Sequence, residues 1–394
     1  MAPAPALCLT RLMLRDFRSW AALTVPFQAR IVVVAGSNGA GKTNLLEAIS
    51  LLGPGRGLRG AKTAELGRHA AGAPLPWASA GRFRDPLGQE FDVGTGTPEG
   101  GPPERRIFRL DGAPVRAQAE LAERLAAVWL TPQMDRLFQD GAGDRRRFLD
   151  RLVWALEPHH AREVAAYDNA MAQRNRLLAQ ERREGLRVDP AWLAGLEDAM
   201  ARHGVAVAAA RRGLVARLNA TLADGVTGAF PAARLALTCP VSAALAAAPA
   251  LAVEDGLRAD WAACRGRDSA AGATLTGPHR ADLLFTHVPK DIPAALCSTG
   301  EQKALLVAVV LAHAALIAAA RGFAPLLLLD EVAAHLDETR REALFAALAA
   351  LPAQAFLTGT DAAVFAPLRG IAEAFRASPG ALVPDGDFPV PGGA

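Results

Sequence analysis

The clearest chemistry in this 394-residue chain lies in eight consecutive residues near its amino terminus: Gly36, Ser37, Asn38, Gly39, Ala40, Gly41, Lys42 and Thr43. The pattern G-x-x-x-x-G-K-[ST] lets the backbone curl closely around phosphate groups with its N–H bonds pointing inward. The lysine then reaches the β- and γ-phosphates, and the threonine hydroxyl can ligate Mg2+. Such a loop binds a nucleoside triphosphate. It needs a buried strand before it and a helix behind it, so that the helix N-terminus faces the anion. The apolar run 31–35 and the helix-like NLLEAISLL meet both requirements.

A second acidic element lies far along the chain. Residues 326–329 are four leucines, a fully buried strand by composition, and they end in Asp330 and Glu331. At the carboxyl edge of a parallel sheet an acidic residue lands beside bound nucleotide, the arrangement of a Walker B element. Asp330 is then the metal residue, with Thr43, and Glu331 the catalytic residue that orients and deprotonates an attacking water. By itself an Asp-Glu turn at a strand end is commonplace; the phosphate loop in the same chain gives it meaning. Between the two motifs, Ser298 and Glu301 have the S-x-x-E spacing of a capping box before an apolar helix. A helix N-terminus exposing Ser298 and Gly300 is also an anion site that can engage a γ-phosphate.

Composition bounds the rest. Basic and acidic residues number 43 and 40, so bulk charge does not announce a nucleic-acid partner and any basic surface must be local. The one dense basic run is Arg145, Arg146 and Arg147, for which a solvated helical face is an equal reading. Four cysteines, at 8, 239, 264 and 297, lack metal spacing and read as reduced thiols of a cytoplasmic protein. The apolar run 304–320 is interrupted by His313 and short for a membrane span, so a buried helix is expected and no membrane partner.

Strands are expected at 9–14 and 31–35, a β-meander between 53 and 112, and a strand in AVWLTPQMDRLF ending at Pro132. Residues 133–267 are mostly Ala, Leu, Arg and Glu at helical spacing, notably 160–184 and 191–223. Strands return with ATLTG and ADLLFTHV, expected in one sheet with the phosphate loop, and the tail is expected to be disordered after Leu382. The fold class is α/β: a discontinuous head, 1–132 and 268–394, with a helical arm domain, 133–267, inserted in it.

At this point a resemblance is plain. STGEQK at 298–303 looks like the signature motif of ABC-type ATPases, and AHLD at 334–337 like the D-loop that follows their Walker B. Lys42 and Asp330 are 288 positions apart, which is similar to the SMC-like branch, where an arm interrupts the head. Closer still, LMLRDFRSW, TPQMDRLFQDGAGDRRRFLDRL, YDNAMAQRNRLL and TGPHRADL resemble the RecF family of recombination mediators, and the likeness runs past residue 360. That resemblance implies ATP as the nucleotide, a homodimer formed on ATP, and sites completed by Ser298 and Gly300 of the partner. It further implies binding to double-stranded, gapped and single-stranded DNA, slow hydrolysis, and partners similar to RecR and RecO that help load a recombinase. The chain departs from transporter ATPases in having LTGTDAA where they carry a switch histidine, leaving Thr358, Thr360 or Asp361 to sense the γ-phosphate. Gln133 lies roughly where a Q-loop residue would, or is an ordinary helix-start residue. The alternative function is the ATPase subunit of a transporter or another P-loop NTPase.

Overall fold

Continuous apolar strands need cover on both faces, whereas alternating ones need it on one. The chain contains both kinds, and they sort into different sheets. A computed structural model describes residues 6–70, 72–185, 188–225 and 227–388. These form two compact units, one of residues 1–135, 221–232 and 298–394, the other of 136–220 and 233–297.

The first unit holds two six-stranded sheets. In the first, the order is Ala127–Leu130, Leu326–Leu329, Ala355–Gly359, Ile31–Ala35, Ala372–Ser378 and Ala381–Pro384, all parallel neighbours except the last pair. Ile31–Ala35, Leu326–Leu329 and Ala355–Gly359 are buried at every position, as central parallel strands must be. The second sheet is antiparallel, in the order Trp20–Pro26, Cys8–Phe17, Ala78–Arg84, Glu90–Gly96, Ile107–Leu110 and Ala113–Pro114. Leu9, Leu12, Phe17, Trp20 and Phe83 from this sheet join Val32, Val34, Leu328 and Phe356 from the parallel one in one core, with Leu45, Leu46 and Ile49 of helix Lys42–Leu52. Each such side chain contributes about 1.5–3 kcal/mol when fully buried. Helix Thr299–Arg321 is the one described helix long and apolar enough to cross a membrane, and 78% of its most apolar stretch is buried inside the protein.

The second unit is built on helices Ala142–Leu156, His160–Glu184 and all but the last three residues of Pro190–Ala223, with a three-stranded antiparallel sheet of Ala233–Thr238, Asp282–His287 and Ile292–Pro293. Here the sequence expectations need correction. Asp282–His287 does not join the phosphate-loop sheet; its alternating burial is that of a strand covered on one face only. ATLTG forms no strand, and the second unit runs on to Cys297 instead of stopping at 267. Ala233–Thr238 is a strand inside a stretch read as helical, because its short alternation is masked by alanine-rich neighbours. In the first unit, AVWLTPQMDRLF yields a strand only over Ala127–Leu130, followed by a 3-10 turn. The tail, expected to lose order after Leu382, continues through an edge strand, Ala381–Pro384; residues 389–394 lie outside the described ones.

One charged side chain knits the second unit. Arg174 is fully buried and donates from Nε to Glu197 (3.0 Å), from one terminal nitrogen to Asp268 (2.8 Å) and Thr274 (3.0 Å), and from the other to the Trp261 carbonyl (2.9 Å). Removing Arg174 leaves the buried Asp268 carboxylate without its cation, while Glu197 keeps its pair with Arg265. Arg174→Ala is therefore expected to cost about 3–5 kcal/mol of stability, read as a lower urea midpoint; a midpoint unchanged from wild type would refute that assignment.

Candidate nucleotide site

The loop of residues 36–43 is shaped by close approach as much as by freedom of rotation. A Cβ on Gly36 would stand 2.3 Å from the Ala377 carbonyl oxygen. Gly41, at φ 95°, caps the helix Lys42–Leu52 without any side-chain hydrogen bond, and a Cβ there would meet Ser19 Oγ at 2.8 Å and the Trp20 ring at 2.9 Å. Ser37, Asn38 and Gly39 form the exposed crest, Ala40 N–H donates to the Ser37 carbonyl (3.2 Å), and Ala40 and Gly41 are buried beneath. The first-turn amides of such a helix have no partners within it and suit an anion.

Lys42 folds back over the loop. Its Nζ donates to the carbonyls of Gly36 (2.7 Å) and Ser37 (3.1 Å) and lies 3.3 Å from Glu331 Oε1. Thr43 Oγ1 donates to the Asp330 carboxylate at 2.9–3.0 Å. Four of the residues read from sequence, Lys42, Thr43, Asp330 and Glu331, thus meet at the carboxyl edge of the parallel sheet. Thr43 and Asp330 present hard oxygen donors, the kind Mg2+ takes alongside water and phosphate oxygens, so the donor set fits that ion.

Ser298 and Gly300 stand apart from this group. Ser298 caps helix Thr299–Arg321 in a capping box: its Oγ accepts from Glu301 N–H (3.4 Å), and Glu301 Oε2 accepts from the Ser298 N–H (3.0 Å). Among the described residues, no hydrogen bond or ion pair joins Ser298 or Gly300 to loop 36–43. Of the three switch candidates, Thr358 is buried and donates to Asp330 Oδ1 (2.7 Å), Thr360 is exposed, and Asp361 caps the following 3-10 turn through Ala363 N–H (2.8 Å). Gln133 is exposed in the 3-10 turn Pro132–Arg136.

Two arginines of the basic run are committed elsewhere, and the third is exposed. Arg145 makes a two-pronged pair with Asp282 (2.7 and 2.8 Å), Arg146 donates to the Ala281 carbonyl (2.7 Å), and Arg147 pairs with Asp144. Arg145 in turn holds the Asp282 carboxyl below the usual carboxylate range. Residues that the motif reading did not single out sit next to the loop. Arg18, Ser19, Asn44, Arg59 and His69 line a polar cleft, in which Asn44 donates to Ser19 Oγ (2.9 Å). The buried Glu47 accepts from Arg18 (2.9 Å) and Arg59 (3.0 Å) and holds both guanidinium groups there. No local spacing marks these arginines; the contacts span 12 to 29 positions. Lys303, on the helix that Ser298 caps, is also buried, and burial pulls its ammonium below the ordinary lysine range against the opposing pull of Asp135 and Glu331.

A parallel sheet with its acidic pair two strands from the phosphate loop, in a chain interrupted by a second unit, is the plan of an ABC-type, SMC-like P-loop ATPase head. The sequence model of the RecF/RecN/SMC N-terminal domain matches residues 8–378. The DNA replication and repair protein RecF of Mesorhizobium japonicum is 49% identical over 381 residues, covering 96% of this chain and 98% of its own, and that of Agrobacterium fabrum is 48% identical over 376 residues, covering 95% and 98%. The chain belongs to the RecF family. Its fold is similar to a solved structure of the recombination mediator protein RecF-ATP in the RecFOR pathway, with a TM-score of 0.82 at 20% identity over 98% of this chain and 99% of that one. It is more distantly similar to the Smc head domain of Pyrococcus furiosus bound to the C-terminal domain of ScpA, with a TM-score of 0.51 at 16% identity over 96% of each chain.

The contact at Gly36 is testable. Gly36→Ala must displace the loop from the Ala377 backbone, an overpacking of about 1–3 kcal/mol. Urea unfolding should register that loss together with weaker nucleotide binding, and a variant equal to wild type in both would remove the contact from the argument.

Proposed function

We propose that this chain is an ATP-switched DNA-binding protein of recombinational repair and replication-fork maintenance, reset by slow ATP hydrolysis. The observation that carries the reading is the meeting of Lys42, Thr43, Asp330 and Glu331 at one sheet edge, in a chain whose relatives are called DNA replication and repair proteins. The amides of residues 36–43 and the Lys42 ammonium bind the phosphates of ATP, with Lys42 exchanging its loop carbonyls for phosphate oxygens. Thr43 and Asp330 hold Mg2+, which when bound neutralises phosphate charge. Glu331 orients and deprotonates the attacking water. The cleft of Arg18, Ser19 and Asn44 takes the remainder of the nucleotide.

Ser298 and Gly300 act in trans. An exposed helix N-terminus unconnected to its own loop is suited to cap the γ-phosphate held by a second copy, in a two-fold interface with ATP as its glue. DNA, whether duplex, gapped or single-stranded, is held through its phosphates, and partners similar to RecR and RecO help load the recombinase in the cytoplasm. Because Arg145 and Arg146 are paired within the protein, the DNA contacts fall to other arginines, the exposed Arg147 included.

Two measurements test this reading. Glu331→Gln should bind ATP as wild type does and hydrolyse it about 10²-fold or more slowly, whereas Lys42→Met should lose tight binding; wild-type turnover in the first variant would unseat Glu331 as the base. Binding to plain duplex, gapped duplex and single strands should require ATP and weaken steeply as salt rises, since each neutralised phosphate releases counterions. Binding that ignores salt, or none with ATP present, would favour a P-loop enzyme of another class.

A further inference from the structure

Glu331 lies at φ 52°, ψ 26°, in the left-handed region. Among the described residues, the other non-glycine positions with positive φ are three aspartates and one arginine. A short aspartate side chain can bond locally to support that backbone; a glutamate has no such advantage, and the conformation must be held from outside. Two side chains from different elements do so. Thr358, on strand Ala355–Gly359, accepts the Glu331 N–H at 3.0 Å. Lys303, on helix Thr299–Arg321, directs its buried Nζ at the Glu331 carbonyl at 3.4 Å, with Asp135 Oδ2 at 3.9 Å on its other side.

We propose that Thr358 and Lys303 are positioning residues, a two-point clamp on the Glu331 peptide that aims its carboxylate. The proposal rests on Glu331 being the base. Thr358 does more than hold one residue: the same hydroxyl donates to Asp330 Oδ1 at 2.7 Å, so one side chain sets the metal carboxylate and the base against each other. Its proton is given to Asp330 and its oxygen accepts from Glu331 N–H, which aims the hydroxyl at the acidic pair. It therefore acts through these residues, without touching the γ-phosphate. Lys303 brings in the helix that Ser298 caps, so the backbone of the base is fastened to the same helix whose N-terminus would face a partner's nucleotide.

Steady-state hydrolysis and equilibrium nucleotide binding on the full chain test the clamp, with thermal melting as a check on folding. Thr358→Val, near in volume, and Lys303→Met should each lower kcat about tenfold or more, the scale of a misplaced reacting group. Nucleotide Kd should stay within about twofold, and Thr358→Ser, which keeps the hydroxyl, within about threefold of wild-type kcat. In a Glu331→Gln background Lys303→Met should not slow hydrolysis further, because groups acting as one unit are not additive. Wild-type rates in Thr358→Val or Lys303→Met, a Thr358→Ser as slow as Thr358→Val, or a further loss when Lys303→Met is added to Glu331→Gln would overturn the clamp alone. Wild-type hydrolysis in Glu331→Gln would overturn the base assignment and the clamp with it. Should Lys303→Met fail to fold, the Thr358 pair decides.

Discussion

The hydrogen bonds from Thr43 to the Asp330 carboxylate tie together two segments 287 positions apart, and the arrangement of the first unit can be read as what is needed to make them. The strands that lead to the two residues, Ile31–Ala35 and Leu326–Leu329, are not neighbours; Ala355–Gly359 lies between them. Register closes the gap. Leu329 pairs with Leu357, which pairs with Val33, so the acidic pair and the start of the loop leave the sheet at the same level. The intervening strand then contributes Thr358, whose hydroxyl joins the same carboxylate. A slip of one residue in either pairing would turn these side chains to the opposite face.

Charge is handled in both units by enclosure with partners. Lys42, Asp330 and Lys303 are buried in the first unit and Arg174, Glu197 and Asp268 in the second, each within reach of an opposite charge or of carbonyls, except Asp330, which accepts from the hydroxyls of Thr43 and Thr358. Such pairs do not raise stability over an apolar core, but they make one geometry much better than its alternatives. That specificity is what a phosphate site requires, since its donors must already point at where charge will sit. The same economy explains why, in a chain with 43 basic residues, two arginines of the densest run turn to Asp282 and the Ala281 carbonyl. Clustering along the sequence marked those arginines for the surface; long-range pairing engages Arg145 and Arg146, while Arg147 stays exposed beside Asp144.

Local patterns were legible wherever a short stretch must satisfy its own physics. The phosphate loop, its strand and helix, the leucine strand ending in Asp330 and Glu331, the capping box at Ser298 and the helices around 160–184 and 191–223 each follow from spacing within a few residues. Asp282–His287 shows where such reading fails: its alternation identified a strand, but nothing within six residues says which sheet will take it. Ala233–Thr238 failed for the reverse reason, a weak local signal decided by pairing with a strand 44 positions or more away.

By itself the sequence determined that this chain has a phosphate loop, an acidic strand end and a helical insertion, because glycine freedom, strand burial and helix capping are settled by neighbours in the chain. Only the tertiary structure decided that Thr358 serves both acidic residues, that Lys303 reaches the Glu331 carbonyl, and that Gly36 is needed for the nearness of Ala377 as well as for the curl of its loop. Those contacts join residues 27 to 341 positions apart, and a hydrogen bond reaches only about 3 Å. Their partners are set by how sheets stack and register, which no stretch of sequence contains.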